Sequence, residues 1–219
     1  MSANTTSQAR EQILGKIRKA LSADQLPMPF PEVERWDAQS AFISKDINQE
    51  ELFAGQFIGL GGKFIFCADE IELLTQINAL YESRSWTKLF CAHPALLQLC
   101  MDSQMSFVLP ADNTDETADA CITDCEALVA RTGSFLMSSR QALGRVSSVF
   151  YPVHIVVAYR KDVVYDIEDG LSLIQEKYPQ QLPSMISLQT GPSRTADIEK
   201  TLVTGVHGPK EVFCFFVNQ

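Results

Sequence analysis

The sequence predicts an α/β fold, a largely parallel sheet flanked by helices with a smaller meander of strands. Three observations predict it. Between Phe64 and Leu109, short apolar runs alternate with segments whose apolar residues recur at helical spacing, the order of βαβ units. From Ala120 to Met137, three apolar runs follow one another with no helical segment between them, the order of a meander. Hydrophobic residues make up 46% of the 219 and charged residues 21%, enough for a real core in one domain of generous size.

The first element expected is a helix over Thr6–Leu21. Ile13, Leu14, Ile17 and Leu21 form its apolar stripe, and Arg10, Lys16, Arg18 and Lys19 lie mostly off it. Leu26-Pro-Met-Pro-Phe-Pro31 follows as a stiff linker, since each proline fixes its own φ and keeps its predecessor out of the helical region. Residues 1–35 are therefore expected to form an arm, and 36–219 the α/β domain. A second helix is expected over Asn48–Ile58, with Leu52, Phe53 and Phe57 near one face. Gly59, Gly61 and Gly62 stop it. They precede a strand instead of following one, so the dinucleotide fingerprint fails.

Strands are then expected at Phe64–Cys67, Leu89–Cys91 and Phe107–Leu109. The helices between them run over Asp69–Tyr81, with Ile71, Leu74, Ile77 and Leu80 inward, and over Ala95–Met101 behind His93-Pro94. His93, just after a strand, either caps a turn or faces a pocket. Asp112–Thr117 is a solvated acidic turn that matches a calcium loop poorly. Ala120–Ile122, Ala127–Ala130 and Phe135–Met137 make the meander, with Arg131-Thr132-Gly133-Ser134 as the last turn. His154–Ala158 is a further strand, Asp166–Tyr178 a helix with Ile167, Leu171 and Ile174 inward, and Met185–Leu188 a short strand.

The richest stretch is Leu188–Pro209, LQTGPSRTADIEKTLVTGVHGP. Gly191-Pro192 signals a turn. Ser193 or Thr195 can cap a helix whose first turn carries Asp197 and Glu199, whose apolar face holds Ile198, Leu202 and Val203, and which Gly205 ends. Glu211–Val217 reads as a buried strand. In an open α/β sheet such a loop is expected at the carboxyl edge of the strands, where ligands bind. Gly191-Pro192-Ser193 at a helix start offers N–H groups and a hydroxyl to an anion, and Arg194 a charge-assisted contact. Asp197 and Glu199 sit two apart, so at most one faces a pocket, and Asp197 is the choice. The other reading makes both capping acids. His207 either folds over the site or simply favours the helix dipole.

Composition narrows the function. A net charge of −9 and a pI near 4.8 argue against nucleic acid, though not against a small basic pocket. No apolar run suits a membrane span and the N-terminus lacks a signal-peptide core, so the expectation is a cytoplasmic protein with no membrane partner. Cys67, Cys91, Cys100, Cys121, Cys125 and Cys214 include no C-x-x-C pair, so they are expected to be buried and reduced, with no metal site and no cofactor.

GPSRTADIE followed by GVHGP resembles the C-terminal signature of the LUD (lactate-utilisation) domain family, in particular its lactate utilisation protein C branch. ADACITDCEALVARTGSFLMSS, then Gly144-Arg145, then Tyr151-Pro152-Val153-His154, continue the likeness. One departure stands out: Arg131 holds the acidic position before Thr132-Gly133-Ser134. An arginine, cationic at every relevant pH, is neither nucleophile nor base, but it can fork onto a carboxylate or phosphate. It reads equally as an exposed turn residue. His154, poorly suited to strand packing, is either near the pocket or a satisfied structural histidine.

The resemblance implies a fold similar to the sugar-phosphate isomerase and CoA-transferase group. It also implies an accessory subunit that acts with iron–sulfur proteins in oxidising lactate to pyruvate and binds a small carboxylate or phosphate. Arg131, Thr132, Gly133, Ser134, Arg145, His154, Gly191, Pro192, Ser193, Arg194, Thr195, Asp197 and His207 are the expected ligand-binding residues. The alternative is a stand-alone isomerase or acyl-transfer enzyme on small anionic metabolites, with Asp197 or His154 as base. A homo-oligomer is left open by both, and a third reading makes the N-terminal helix a docking element of a regulatory subunit.

Overall fold

The computed structural model describes residues 3–22, 47–111, 117–195, 203–205 and 207–219. Two compact units divide the chain, Met1–Ser44 and Lys45–Gln219. In the first, helix α1 spans Ala3–Ser22, and Ile13 and Ile17 of its apolar stripe are exposed. The proline-rich linker, the acidic turn at 112–116 and Asp197 lie outside the described residues.

In the second unit, Asn48 caps α2 (Gln49–Gly59) by accepting from the N–H groups of Glu50 and Glu51. Strand β1 (Lys63–Cys67) leads into α3 (Glu70–Arg84), capped by Asp69, which accepts from Glu72 N. Next come β2 (Leu89–Cys91), α4 (Pro94–Asp102) and β3 (Val108–Pro110). Then follow β4 (Ala120–Thr123), β5 (Ala127–Val129), β6 (Ser134–Ser138) and β7 (Val153–Tyr159). A 3-10 turn at Arg160–Asp162 precedes β8 (Val163–Val164) and α5 (Ile167–Lys177), whose cap is Asp166. The chain closes with β9 (Ile186–Gln189), β10 (Arg194–Thr195), β11 (Val203–Thr204) and β12 (Glu211–Val217).

The fold class expected from the sequence is the one observed. Six strands form a parallel sheet in the order β1-β12-β7-β4-β2-β3. A second, mixed sheet runs β8-β5-β6-β9, and β10 pairs with β11 in a two-stranded ladder. The meander is therefore smaller than expected. Its first run, β4, belongs to the parallel sheet, and all four residues are buried. A short apolar run cannot distinguish a central parallel strand from a meander strand, and here pairing between β2 and β7 decides.

The period-2 alternation of β12 shows how one apolar run serves two cores. Phe213, Phe215 and Val217 join the cluster under α3 and α4, with Leu73, Ile77, Leu96 and Cys100. Val212, Cys214 and Phe216 face the other way, against Phe53 and Phe57 of α2 and Phe135 and Met137 of the second sheet. Beyond that sheet, Ala127, Val129 and Leu136 meet Ile174 of α5. The inward sets of two helices need correction. In α3, Ile71 is 76% exposed and Leu73 is buried in its place, while in α5 Leu171 is exposed beside a buried Gly170. The apolar residues of α3 surround much of its circumference, so spacing alone did not orient it.

Candidate functional site

The signature stretch forms a two-stranded antiparallel ladder, and the helix expected from Asp197 to Leu202 lies outside the described residues. Ser193 N donates to Pro209 O at 3.0 Å, Gly205 N donates to Ser193 O at 3.0 Å, and Arg194 and Thr195 pair with Thr204 and Val203. Residues 196–202 lie outside the described residues, as do the side chains of Thr195, Val203 and Thr204. Arg194 and Thr195, directly after Gly191-Pro192-Ser193, are thus strand residues, and the ladder joins the motif's two halves.

The hairpin base leans on the end of α2. Gly191 adopts φ +66°, and a Cβ there would lie 3.0 Å from Leu60 O. Arg194 Nη2 donates to the same carbonyl, filling a vacancy at the helix C-terminus, so part of its guanidinium serves as a cap. The Thr132-Gly133-Ser134 turn approaches from the other side. Gly133 has φ +59°, and a Cβ there would lie 2.5 Å from Phe57 N. Ser134 Oγ lies 2.7 Å from Thr190 Oγ1, tying this turn to the residue before Gly191. The two parts of the motif thus meet around one helix end.

Beside the hairpin base opens a cavity of about 430 Å³, walled by Leu60, Ser148, Val149, the run from Gln189 to Arg194, and His207 to Pro209; the expected Thr132, Gly133 and Ser134 are not in its wall. Gly191, Pro192, Ser193, Arg194 and His207 are brought together here. Gln189, Thr190 and Ser148 were missed. Gln189 Nε2 donates to Ser148 Oγ at 2.6 Å, closing one wall. The alternation through Ser187-Leu188-Gln189 could have exposed Gln189 as an inward polar residue of β9.

Position also needs correction. Leu60 precedes β1, Ser148 and Val149 precede β7, and His207–Pro209 precede β12, so the cavity sits at the amino edge of the parallel sheet. The expectation of the carboxyl edge assumed that the strand before the signature belonged to that sheet. It is β9, paired antiparallel with β6 in the second sheet.

Other expected residues lie elsewhere. Arg131 forks onto Asp166 through Nε (2.9 Å) and Nη2 (2.6 Å), and this hydrogen-bonded partner raises its pKa further. Arg145 is exposed and donates to Ser184 Oγ at 2.6 Å. His154 is 0% exposed between the sheets, its Nε2 2.8 Å from Thr123 Oγ1 and its ring edge-on to Phe135. Burial pushes its pKa down to about 3, and Nδ1 has no partner among the described residues. A neutral imidazole enclosed in this way has no route for exchanging protons with a ligand in the cavity.

The carboxyl edge carries a hollow of about 290 Å³ walled in part by Glu70, His93, Asp102 and Tyr159. There Tyr159 OH donates to Glu70 Oε1 at 3.0 Å, and His93 caps α4 by accepting from Leu96 N at 3.3 Å. The two hollows differ in sign. In a chain of net charge −9, the described wall of the amino-edge cavity holds Arg194 and His207 and no carboxylate, whereas two carboxylates line the other. The six cysteines are all buried, and burial raises their thiols, so they pack as apolar groups. No described helix is long and apolar enough to cross a membrane.

Residues 111–217 match the LUD domain family, a span that includes every described wall residue of the amino-edge cavity except Leu60. The chain is 33% identical over 105 residues to lactate utilization protein C of Bacillus subtilis, covering 47% of this chain and 44% of that protein. It is 34% identical over 96 residues to the protein of the same name from Geobacillus thermodenitrificans, covering 43% and 40%. The match therefore spans less than half the length of these relatives. A DUF162 family protein of known structure from Deinococcus radiodurans shares the fold, with a TM-score of 0.58 and 18% identity over 78% of this chain and 99% of that one. Over residues 111–217 the chain is a LUD domain, similar to that of the proteins named lactate utilization protein C.

Proposed function

We propose that this chain serves lactate utilisation as an accessory subunit, acting with iron–sulfur proteins that oxidise lactate to pyruvate. It holds a small carboxylate or phosphate in the amino-edge cavity. The observation that carries this reading is the LUD match over 111–217, which contains both arms of the hairpin and nearly all of the cavity wall, on a protein similar to those named lactate utilization protein C. Ser193 offers a hydroxyl, His207 a ring N–H, and Gln189 and Thr190 polar groups along one wall. Oxidation of lactate releases two electrons and two protons. Thiols packed into the core are poor electron carriers, so the reading assigns the electrons to the partner's cluster.

The test is a deletion strain of the source organism grown on lactate, with affinity capture of the tagged chain from the same medium. Loss of lactate growth, restored by the parent gene, and recovery of an iron–sulfur protein are expected. Normal growth of the deletion strain, with no such protein recovered, would overturn the reading.

A further inference from the structure

A second hollow, of about 450 Å³, adjoins the first and shares Val149, His207 and Gly208 with it. Size makes the pair informative. A three-carbon acid occupies roughly three water volumes, about 90 Å³, whereas cavities of roughly 300–1,000 Å³ hold much larger organic ligands. Lactate alone would leave most of the 430 Å³ first hollow, and all of the second, to solvent.

The second hollow differs in chemistry. Phe150 and Val149, 41% and 46% exposed, form an apolar wall. Phe150 is held edge-on to the buried Tyr151, with centroids 5.9 Å apart, and Tyr151 stands edge-on to Phe90 at 5.7 Å. This series of rings holds an exposed aromatic face in place, a surface on which a flat apolar group can pack. The lining also carries a cation. Lys210 is exposed, its backbone N–H held by Pro152 O at 2.8 Å, and among the described residues it is in no ion pair, while neighbouring Glu211 takes up Lys63 and Arg84. His207 stands between the two hollows.

We infer that the two hollows are halves of one groove, and that it binds an acid bearing a planar apolar group, its carboxylate or phosphate at His207 and Lys210 and its flat part on Phe150 and Val149. This rests on the anion reading of the amino edge and narrows it from a small acid to an elongated one.

The test compares lactate with 3-phenyllactate, which carries the same hydroxy-acid head, and with phenyl phosphate, by calorimetry or ligand-observed NMR on the full chain. Covering roughly 60 Å² of apolar surface at about 25 cal/mol per Å² predicts about tenfold tighter binding of 3-phenyllactate than of lactate. Phe150→Ala, at an exposed site that does not threaten folding, should reduce that preference to less than about twofold. Lys210→Gln should weaken both acids by a similar factor. Phenyl phosphate binding more tightly than 3-phenyllactate would assign the head to a phosphate, and the reverse to a carboxylate. Equal binding of lactate and 3-phenyllactate, or a preference that survives Phe150→Ala, overturns the inference and leaves the anion reading standing. If no acid binds, both fall together.

Discussion

His154 offers the sharpest quantitative test of the structure. Its imidazole is fully enclosed between the sheets, and burial lowers its pKa from 6.5 to about 3. In the unfolded chain it titrates near 6.5. The unfolded state therefore takes up a proton first as the pH falls. Stability from the neutral ring is complete above about pH 6.5 and is lost progressively on the way down to about 3. At pH 5 the ring is roughly 1.5 units below its unfolded pKa, and at about 1.36 kcal/mol per unit the cost is about 2 kcal/mol. For a folded unit spanning Lys45–Gln219, about 2–4 °C per kcal/mol gives a Tm about 4–8 °C lower at pH 5 than at pH 7.5 from this group alone.

The assay is a series of thermal melts at fixed ionic strength between pH 7.5 and 5, comparing the parent with His154→Gln. Glutamine keeps a polar group near Thr123 and does not titrate, so the variant should start lower and fall less steeply. The exposed His207 and the half-exposed His93 remain in both chains, and their contribution cancels. Parallel slopes would refute the argument, as would an NMR titration placing His154 between 6 and 7. The second outcome would also return His154 to the list of candidate bases.

Three further outcomes are expected. Gly133→Ala should cost about 2–3 kcal/mol in denaturant unfolding, because φ is +59° and the new Cβ would lie 2.5 Å from Phe57 N; a loss below about 0.5 kcal/mol would mean that the turn relaxes freely. Lys177→Met should cost about 3 kcal/mol, since the Glu126 side chain is 0% exposed and loses its cation while keeping Ser138 and Tyr178; adding Glu126→Gln should recover part of this, and a double variant no more stable than Lys177→Met would count against buried charge as the cause. Hydrogen bonds from Arg84, with Lys63 behind them, lower Glu211 to about 2, so its contribution is present above about pH 4.5 and lost as the pH falls toward 2; after discounting for partial exposure it is about 1 kcal/mol, and Glu211→Gln should flatten the acid melt in that window.

What the sequence made legible follows the range of the forces involved. Asn48 and Asp69 cap helices through contacts two or three residues away, and Phe53 and Phe57 mark the buried face of α2 by spacing alone. These signals are local and were readable. The ladder of Arg194–Thr195 with Val203–Thr204 depends on pairing between residues eight to ten apart, which no local spacing signal announces. The assignment of β4 to the parallel sheet depends on β2 and β7, whose pairing partners lie some thirty residues away in either direction. For His154, the identity was conspicuous. Its face on β7, turned toward Phe135 of the second sheet, is a tertiary fact.

The same geometry separates two jobs that the motif's residues share. Gly133, Ser134, Thr190, Gly191 and Arg194 are engaged with one another or with the end of α2, through backbone clearance, a hydroxyl pair and a helix cap. Their chemistry is used in fixing the wall. Ser193 and His207 belong to the same hairpin, yet their side chains face the cavity, held in place by backbone bonds from Ser193 to Pro209 and Gly205. Changing the first group should therefore alter the shape of the cavity and the stability of α2, with binding lost as a consequence. Changing the second should alter binding while the melting temperature stays within about 1–2 °C, the range of a surface substitution of this kind. Ser193→Ala and His207→Gln against Arg194→Ala, measured for both melting and acid binding, make the separation observable. If all three variants lose stability and binding in the same proportion, the wall and the ligand face are one structure, and the division drawn here is false.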